Sequence, residues 1–296
     1  MATMNHSIKV TLLGLLLAGV SIGYGQDTNS YRVLFLGNSE YYSRGGVYSP
    51  FEGFCHAAGL DYQAVSQWNR PPNPLDIEFL DFGRIPTNLP DIAADSEIHA
   101  LIRNGDFDFV ILAAKRPGHL LPESVELPER LGRYISYSRN IAALGAIHKT
   151  IVESEAQTVL YIQPEWHMFL DTRFPIVQVY QRLHTDLEAM EIEGKLHSVI
   201  LVPGLYLWED AAKKYGVDDW YAEDGLHGSA LARYASACMF YTYLTGNDPR
   251  ENDFKKLTVL TREWEIIPEK IDVYATDEQA EWIKDQVWLY YSTRAK

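Results

Sequence analysis

Cysteine is scarce in this sequence. The 296 residues include only Cys55 and Cys238. Two thiols are too few for the disulfide framework on which small secreted scaffolds depend. The nine histidines are scattered, and neither a Cys-x-x-Cys nor a His-x-x-x-His spacing occurs. Because such spacings bring metal ligands together, their absence predicts no metal site.

Positive charge is also scarce. The chain has 26 lysines and arginines against 40 acidic residues, which gives a formal net charge of −14. Nucleic acids and anionic membrane surfaces bind proteins through basic patches. We therefore expect neither among the partners of this protein.

Hydrophobic runs long enough to cross a membrane are missing after the N-terminus. Residues 10–25 are almost wholly apolar or small, and they follow a short segment whose one charge is Lys9. This pattern predicts a secretory signal peptide over residues 1–25, since a spanning helix needs about 20 apolar residues. We expect the mature chain to begin near Gln26 and to be exported to the periplasm or the extracellular space. After removal of the signal peptide, we expect it to have no attachment to the membrane.

Internal repeats and low-complexity linkers are absent as well. Residues 26–296 are therefore predicted to form a single α/β domain, with a helical appendage from about residue 250. Apolar strand patterns alternate with helical patterns along the chain, which indicates a parallel sheet covered on both faces. The predicted strands are 33–36, 61–66, 107–114, 158–163 and 199–202, and the predicted helices are 50–58, 92–104, 127–155, 173–193 and 230–245.

A candidate nucleophile follows the first predicted strand. The stretch Tyr31-Arg-Val-Leu-Phe-Leu-Gly-Asn-Ser39 ends an apolar run in a glycine, an amide and a hydroxyl. Open α/β sheets bind ligands at the carboxyl ends of their strands, so Ser39 is placed where a nucleophile would act. The alternative is an ordinary turn, because glycine, asparagine and serine also dominate turns.

A candidate base lies near the other end of the chain. Asp224-Gly-Leu-His227-Gly-Ser229 stands directly before a long apolar helical pattern. An aspartate three residues before a histidine can hold the imidazole in one tautomer while its other nitrogen faces a serine. Ser39, His227 and Asp224 thus form a candidate catalytic triad.

These blocks resemble the SGNH (GDSL-like) hydrolase superfamily, in its bacterial members with a Gly-Asn-Ser first block. The resemblance rests on Leu-Gly-Asn-Ser39, on Asp224-x-x-His227 and on Tyr243-Leu-Thr-Gly246, and it spans residues 31–247. It implies a three-layer α/β/α sandwich with a flavodoxin-like parallel sheet of about five strands. It also implies ester hydrolysis without a cofactor, with Ser39 as nucleophile, His227 as general base and Asp224 as its orienting carboxylate.

Two inner blocks of the superfamily are replaced in this chain. Members carry a glycine after the second strand and a Gly-x-Asn pattern after the third, both of which donate to the oxyanion. Here Asn69 follows the second strand, while Lys115 and Arg116 follow the third. The backbone or side chain of Asn69 could donate instead. The two cations could stabilise the oxyanion, bind an anionic sugar, or pair with surface carboxylates.

Aromatic residues suggest a carbohydrate substrate. Trp68 opens a segment, residues 67–90, that contains five prolines and reads as a binding wall or a covering loop. Trp166 and His167 follow the fourth strand, where they would line a sugar subsite or fill the core. The predicted function is an esterase that removes acetyl groups from small or polymeric carbohydrates. The alternative is a degenerate relative that binds glycans without hydrolysing them.

Both cysteines fall in predicted helices on the same face of a flavodoxin-like sheet. A bridge between Cys55 and Cys238 is therefore open in an oxidising compartment. Buried free thiols are the favoured state, because unpaired cysteine is among the most buried residue types.

Overall fold

The computed structural model describes seven stretches of the chain. They are residues 30–36, 46–66, 97–112, 137–162, 176–222, 228–255 and 275–294. Their strands are β1 (Tyr31–Leu36), β2 (Tyr62–Ser66), β3 (Phe109–Leu112), β4 (Gln157–Tyr161), β5 (Glu191–Ile192), β6 (Lys195–Leu196) and β7 (Val199–Val202). Their helices are α1 (Tyr48–Ala57), α2 (Glu97–Arg103), α3 (Tyr137–Glu153), α4 (Ile176–Glu188), α5 (Gly204–Tyr215), α6 (Ala230–Thr245) and α7 (Asp277–Arg294), with a 3-10 turn at Pro249–Glu251.

Five strands form one parallel sheet in the order β2-β1-β3-β4-β7. This is the flavodoxin-like order, in which the chain first builds outward on one side of β1 and then on the other. The register pairs Leu36 of β1 with Leu112 of β3, so these two strands end level with each other. The predicted fold class, a parallel sheet of about five strands between helical layers, is confirmed.

Alternation along β1 divides the core into two parts. Val33 and Phe35 face one side of the sheet and Leu34 and Leu36 the other, and all four are fully buried. Because successive side chains of a strand point to opposite faces, a strand with both sets apolar must be covered on both sides. Helices α1, α5, α6 and α7 contribute to the first cluster, and α2, α3, α4 and Leu205 at the start of α5 contribute to the second.

The predicted strand and helix positions agree closely with the structure where it is described. The strand 199–202 and the helix 230–245 have the predicted bounds. Strand β1 begins two residues earlier than predicted, β4 begins one residue earlier, β2 begins one residue later and β3 begins two residues later. The predicted strand ends at residues 114 and 163 lie outside the described residues. The predicted helical starts at residues 92, 127 and 173 lie outside the described residues. Helix α6 has both of its expected end signals, since Ser229 caps its N-terminus and Gly246 ends it in a left-handed conformation (φ 73°).

The predicted helix 173–193 is wrong at its C-terminal end. Helix α4 stops at Glu188, and Glu191–Ile192 pairs antiparallel with Lys195–Leu196 in a small hairpin. Its two turn residues, Glu193 and Gly194, have φ values of 53° and 76°. Two successive positive φ angles are the signature of a type I′ hairpin turn, which a continuing helix cannot accommodate.

Helix α5 was not predicted from the sequence. It begins after Pro203 with Gly204, where an added Cβ would lie 2.3 Å from the Tyr161 ring. Glycine is therefore required for the close approach of α5 to the end of β4. Its signals were Lys213 and Lys214 in the last turn, which suit the negative end of a helix dipole.

Helix α7 begins with the capping box that the pattern Thr276-x-x-Gln279 predicts. The Thr276 backbone N–H donates to Gln279 Oε1 at 2.9 Å, and the Gln279 N–H donates to Thr276 Oγ1 at 3.3 Å. The sequence predicts an apolar stripe of Ala280, Ile283, Val287 and Tyr290 or Tyr291. The first three residues are fully buried, and the two tyrosines are half-buried. Rather than lying on the flank of the sheet, α7 packs on α6 and α5 and so adds a layer outside them.

The two cysteines are buried on the same face of the sheet, as predicted. Cys55 lies in α1 and Cys238 in α6, both in the first core cluster, and both are free thiols. Burial raises the pKa of each thiol well above its ordinary value. A neutral buried thiol is a poor nucleophile, so neither cysteine is a candidate for the chemistry.

Candidate active site

The carboxyl ends of the parallel strands meet at one edge of the sheet. The strands end at Leu36, Ser66, Leu112, Tyr161 and Val202. The order of the sheet reverses between β1 and β3, where the connections leave toward opposite sides. Such a switch point opens a crevice at the strand ends, and it is the usual ligand site of open α/β sheets.

All nine predicted site residues lie outside the described residues. They are Ser39, Trp68, Asn69, Lys115, Arg116, Trp166, His167, Asp224 and His227. What the structure describes are the strand ends and the helix start that flank them. The geometry of the triad and of the oxyanion site therefore stays a prediction.

The frame around the Asp224–His227 segment is held by backbone pairing. Tyr221 and Gly228 form an antiparallel bridge, so the two ends of the intervening segment lie side by side. The Ser229 N–H donates to the Trp220 carbonyl at 3.0 Å, and the Ser229 hydroxyl donates to the Asp219 carbonyl at 2.7 Å. The entry and the exit of the segment are thus fixed to each other.

Buried aromatic rings anchor this frame to the core. Trp220 is fully buried, and its ring lies 6.0 Å from the ring of Trp208 on α5. The Tyr221 ring meets the same Trp208 ring edge-on at 5.3 Å. Aromatic contacts of this kind bury large areas in a fixed geometry. The residues just before the segment are therefore rigidly placed.

The first turns of α6 lie near the carboxyl end of β4. The hydroxyls of Tyr161, the last residue of β4, and Ser236 are hydrogen bonded at 2.8 Å. Phe240, one turn further along, packs against the rings of Tyr161 and Phe35 at 4.8 and 5.4 Å. The start of α6, which directly follows the Asp224–His227 segment, is thereby placed toward the strand ends.

One charged residue near this frame was missed by the sequence reasoning. Arg233 lies in the first turn of α6, is only 2% exposed, and donates from Nε and Nη2 to the Gly228 carbonyl at 3.1 and 2.9 Å. The signal was an arginine in the first turn of an otherwise apolar helix, where a cation opposes the helix dipole.

Two buried histidines, His99 and His148, lie on the side of the sheet that α2, α3 and α4 cover. His99 Nδ1 lies 2.5 Å from Thr150 Oγ1, and His148 Nδ1 lies 2.8 Å from Thr158 Oγ1. Burial lowers the pKa of His99, and burial together with nearby His197 lowers the pKa of His148 to about 4. Both side chains are neutral at physiological pH, and both are buried beside the second core cluster, which lies under α2, α3 and α4. We therefore assign them structural roles.

A cleft of about 430 Å³ lies elsewhere, between the 3-10 turn and α7. It is lined by charged residues of both signs, among them Arg250, Lys255, Lys284 and Asp285. Arg250 pairs with Asp248, and Lys255 donates to Asp277 at 2.9 Å. None of its lining residues follows a strand end, so this cleft is separate from the candidate site.

Within the described stretches, no group of three or more histidine, cysteine, aspartate or glutamate side chains could hold a metal ion. None of the helices in these stretches is both long and apolar enough to cross a membrane.

Comparison with known proteins shows a fold and leaves the family open. No protein-family model matches the chain, and no curated protein matches it. Among solved structures, the chain is similar to a DUF4886 family protein from Bacteroides uniformis, with 15% identity, 88% of this chain and 96% of that protein covered, and a TM-score of 0.54. At this identity the likeness shows the fold alone.

Two weaker similarities have TM-scores below 0.5 and carry no argument about activity. One is to a protein from Parabacteroides merdae assigned as a GDSL-like lipase, at 14% identity with 74% of this chain and 96% of that chain covered and a TM-score of 0.46. The other is to a variant acetyl xylan esterase from Geobacillus stearothermophilus, at 13% identity with 74% and 96% covered and a TM-score of 0.44.

Proposed function

We propose that this protein is a serine ester hydrolase of the SGNH type. It removes acyl groups, most simply acetyl, from hydroxyls of a carbohydrate. Ser39 is the nucleophile, His227 the general base and then acid, and Asp224 the carboxylate that orients the imidazole. The chain is exported by the signal peptide over residues 1–25 and needs no cofactor.

The observation that carries the proposal is the order of the sheet. Its switch point lies between β1 and β3, which end at Leu36 and Leu112. Ser39 and Lys115 each follow these ends by three residues, a reach of at most about 11 Å of extended chain. The candidate nucleophile and the candidate cations are therefore tethered to the part of the sheet where open α/β folds bind ligands.

The anchored frame supports the same edge for the base. His227 is bonded to Gly228, one step of about 3.8 Å between Cα atoms. Gly228 is held by its bridge to Tyr221, and α6 starts two residues later. Ser236, in the second turn of α6, is hydrogen bonded to Tyr161 at the end of β4. In this proposal the base comes from the segment before α6 and the nucleophile from the residues after β1. A serine hydrolase triad is usually assembled in this way from separate elements.

The proposed reaction has two steps. The Ser39 hydroxyl oxygen attacks the ester carbonyl as its proton passes to His227, and the tetrahedral oxyanion collapses with release of the sugar hydroxyl, which takes that proton. Water then attacks the acyl-enzyme with His227 again accepting a proton. Release of acetate returns that proton to the Ser39 oxygen. Asp224 stays ionised throughout.

The oxyanion donors distinguish this chain from the superfamily pattern. We assign them to the Ser39 backbone N–H and to Asn69, with Lys115 or Arg116 in place of the usual asparagine. A fixed donor aimed at a developing oxyanion typically contributes about 10²–10³ in rate, so the substituted donors matter as much as the triad. Trp68, Trp166 and His167 are proposed to contact the sugar, because indole faces stack on pyranose rings.

The test is acetate release from a panel of acetylated polysaccharides and a nitrophenyl acetate, with wild type, Ser39→Ala and His227→Ala. Each single variant should lose about 10⁴-fold or more in kcat, and the double variant should be scarcely worse, because the two residues act as a unit. A fluorophosphonate should label Ser39, as read by mass spectrometry. Additive losses, or an unlabelled Ser39 in an active enzyme, would contradict the assignment.

A second candidate function is favoured by one feature of the sequence. The glycine and asparagine of the two inner oxyanion blocks are both replaced, so a glycan-binding protein without hydrolysis is the alternative. It predicts measurable glycan affinity by calorimetry, no acetate release, and no loss of affinity in Ser39→Ala.

A further inference from the structure

Arg233 occupies a position that is unfavourable for a cation in two ways. Its side chain is 2% exposed, and arginine is almost never buried to this degree unless its charge is used. It also lies in the first turn of α6, at the positive end of the helix dipole. Violations of local preference concentrate at functional sites.

The Arg233 guanidinium makes hydrogen bonds to the carbonyl oxygen of Gly228, which lies next to the candidate site. Its Nε–H and one Nη2–H both donate to the Gly228 carbonyl, at 3.1 and 2.9 Å. The planar group holds its donors in a fixed fork, so two bonds to one oxygen fix the direction of that carbonyl as well as its distance. Gly228 is the residue that follows His227.

Glycine at position 228 makes such a clamp necessary. A residue without Cβ rotates freely about φ and ψ, and this one joins His227 to the capped start of α6. On one side the bridge to Tyr221 holds Gly228, and on the other Ser229 is bonded to Trp220 and Asp219. The Arg233 fork fixes the carbonyl between these two supports.

We propose that Arg233 is a positioning residue of the active site, which fixes the peptide that follows His227, the proposed general base. The inference rests on the proposed function, and its prediction is specific. Arg233 contributes to kcat through His227 and contributes little to substrate binding.

The first variant is Arg233→Met, which keeps most of the length of the side chain but removes its donors. The second is Arg233→Lys, which keeps the positive charge and a single donor group but loses the planar fork. Misplacement of a catalytic group by about 1 Å can cost about 10²-fold, so Arg233→Met should lower kcat by about that factor. KM should change by less than about twofold, and Arg233→Lys should recover part of kcat. The matched control is Arg182→Met, which removes an arginine with a 66% exposed side chain on α4.

A double-mutant cycle separates positioning from a general effect on stability. In the Asp224→Asn background, whose imidazole is already poorly oriented, Arg233→Met should have a much smaller effect on kcat than in wild type. Thermal unfolding of each variant confirms that the assay temperature lies below its transition. Additive losses, or a folded Arg233→Met with the kcat of wild type, would overturn the proposal.

A readout that needs no activity distinguishes this failure from failure of the proposed function. Backbone relaxation at the Gly228 amide should report greater motion in Arg233→Met than in wild type or Arg182→Met. If the wild type is inactive but the Gly228 amide still becomes more mobile in Arg233→Met, the proposed esterase function is refuted. The fixing of Gly228 by Arg233 then still holds. An amide unchanged in Arg233→Met would refute the clamp.

Discussion

The two faces of the sheet are covered by different kinds of side chain. Among the described residues, the cluster that contains α1, α5, α6 and α7 (the aromatic face) has twelve buried aromatic residues, whereas the cluster under α2, α3 and α4 (the aliphatic face) has two, Phe107 and Tyr180. The aliphatic face instead encloses His99 and His148, each bonded to a threonine hydroxyl. The aromatic face also carries the Trp220 and Tyr221 frame beside the candidate site. We therefore expect the aromatic face to give the candidate site rigid support. We expect the aliphatic face, with its buried histidines, to make the stability of the fold sensitive to acid.

The largest effect should follow from breaking the aromatic face. Phe240 is fully buried between the Phe35 and Tyr161 rings, so Phe240→Ala should lower the free energy of unfolding by about 3–5 kcal/mol. Ile151→Val on the aliphatic face removes one methylene and should cost about 0.5–1.5 kcal/mol. Leu289→Ala, half exposed on α7, should stay within about 0.5 kcal/mol.

Urea denaturation of the three variants and wild type, read by circular dichroism, gives these values. The contrast between the faces fails if Phe240→Ala proves no more costly than Ile151→Val.

The next effect tests acid sensitivity of the aliphatic face. His148 has a pKa of about 4 in the folded chain, below its ordinary 6.5, because it is buried with Nε2 lacking a partner among the described side chains. The unfolded chain therefore binds the proton more readily. This contribution to stability is full above pH 6.5 and is lost as the pH falls toward 4.

Between pH 7.5 and 5, His148 alone should cost about 2 kcal/mol of unfolding free energy, since one pKa unit corresponds to about 1.4 kcal/mol. His148→Gln should remove that part of the pH dependence, while His56→Gln, at an exposed site in α1, should not. Urea midpoints measured at both pH values decide this. An equal acid loss in wild type and His148→Gln would assign the sensitivity elsewhere.

The smallest effect concerns the helix that covers the aromatic face from outside. Thr276→Ala removes the hydroxyl half of the α7 capping box and should cost about 1 kcal/mol. Thr293→Ala is the matched control, because its hydroxyl bonds only to carbonyls within the last turn. Equal midpoints for the two threonine variants would mean that the cap adds nothing to the docked helix.

Most of the fold could be predicted because its signals are local. The apolar run before Gly37 specifies a strand without reference to the rest of the chain. In the same way, Ser229 before α6 and Gly246 after it mark the two ends of a helix. The hairpin after α4 could not be predicted in this way, because its strands have only two residues each and depend on the turn at Glu193 and Gly194.

The candidate site divides along the same line. The residues that carry chemistry, such as Ser39 and His227, are recognisable as short blocks. The residue that we infer to position them was missed because the burial of Arg233 is a tertiary property, and an arginine in a sequence is expected at the surface. The same holds for Trp208 and Trp220, whose contact joins segments that no local pattern connects.

Helix α6 is buried all round, with thirteen of its sixteen residues inaccessible, and part of its cover is α7. Because α7 follows in sequence every strand and helix that it covers, it is synthesised after them. Any state in which it is undocked exposes the outward face of α6 together with its own Ala280, Ile283 and Val287. Two complementary apolar stripes on one chain can also pair between chains, as in domain exchange. The order of synthesis thus makes the docking of α7 a step at which correct folding competes with self-association.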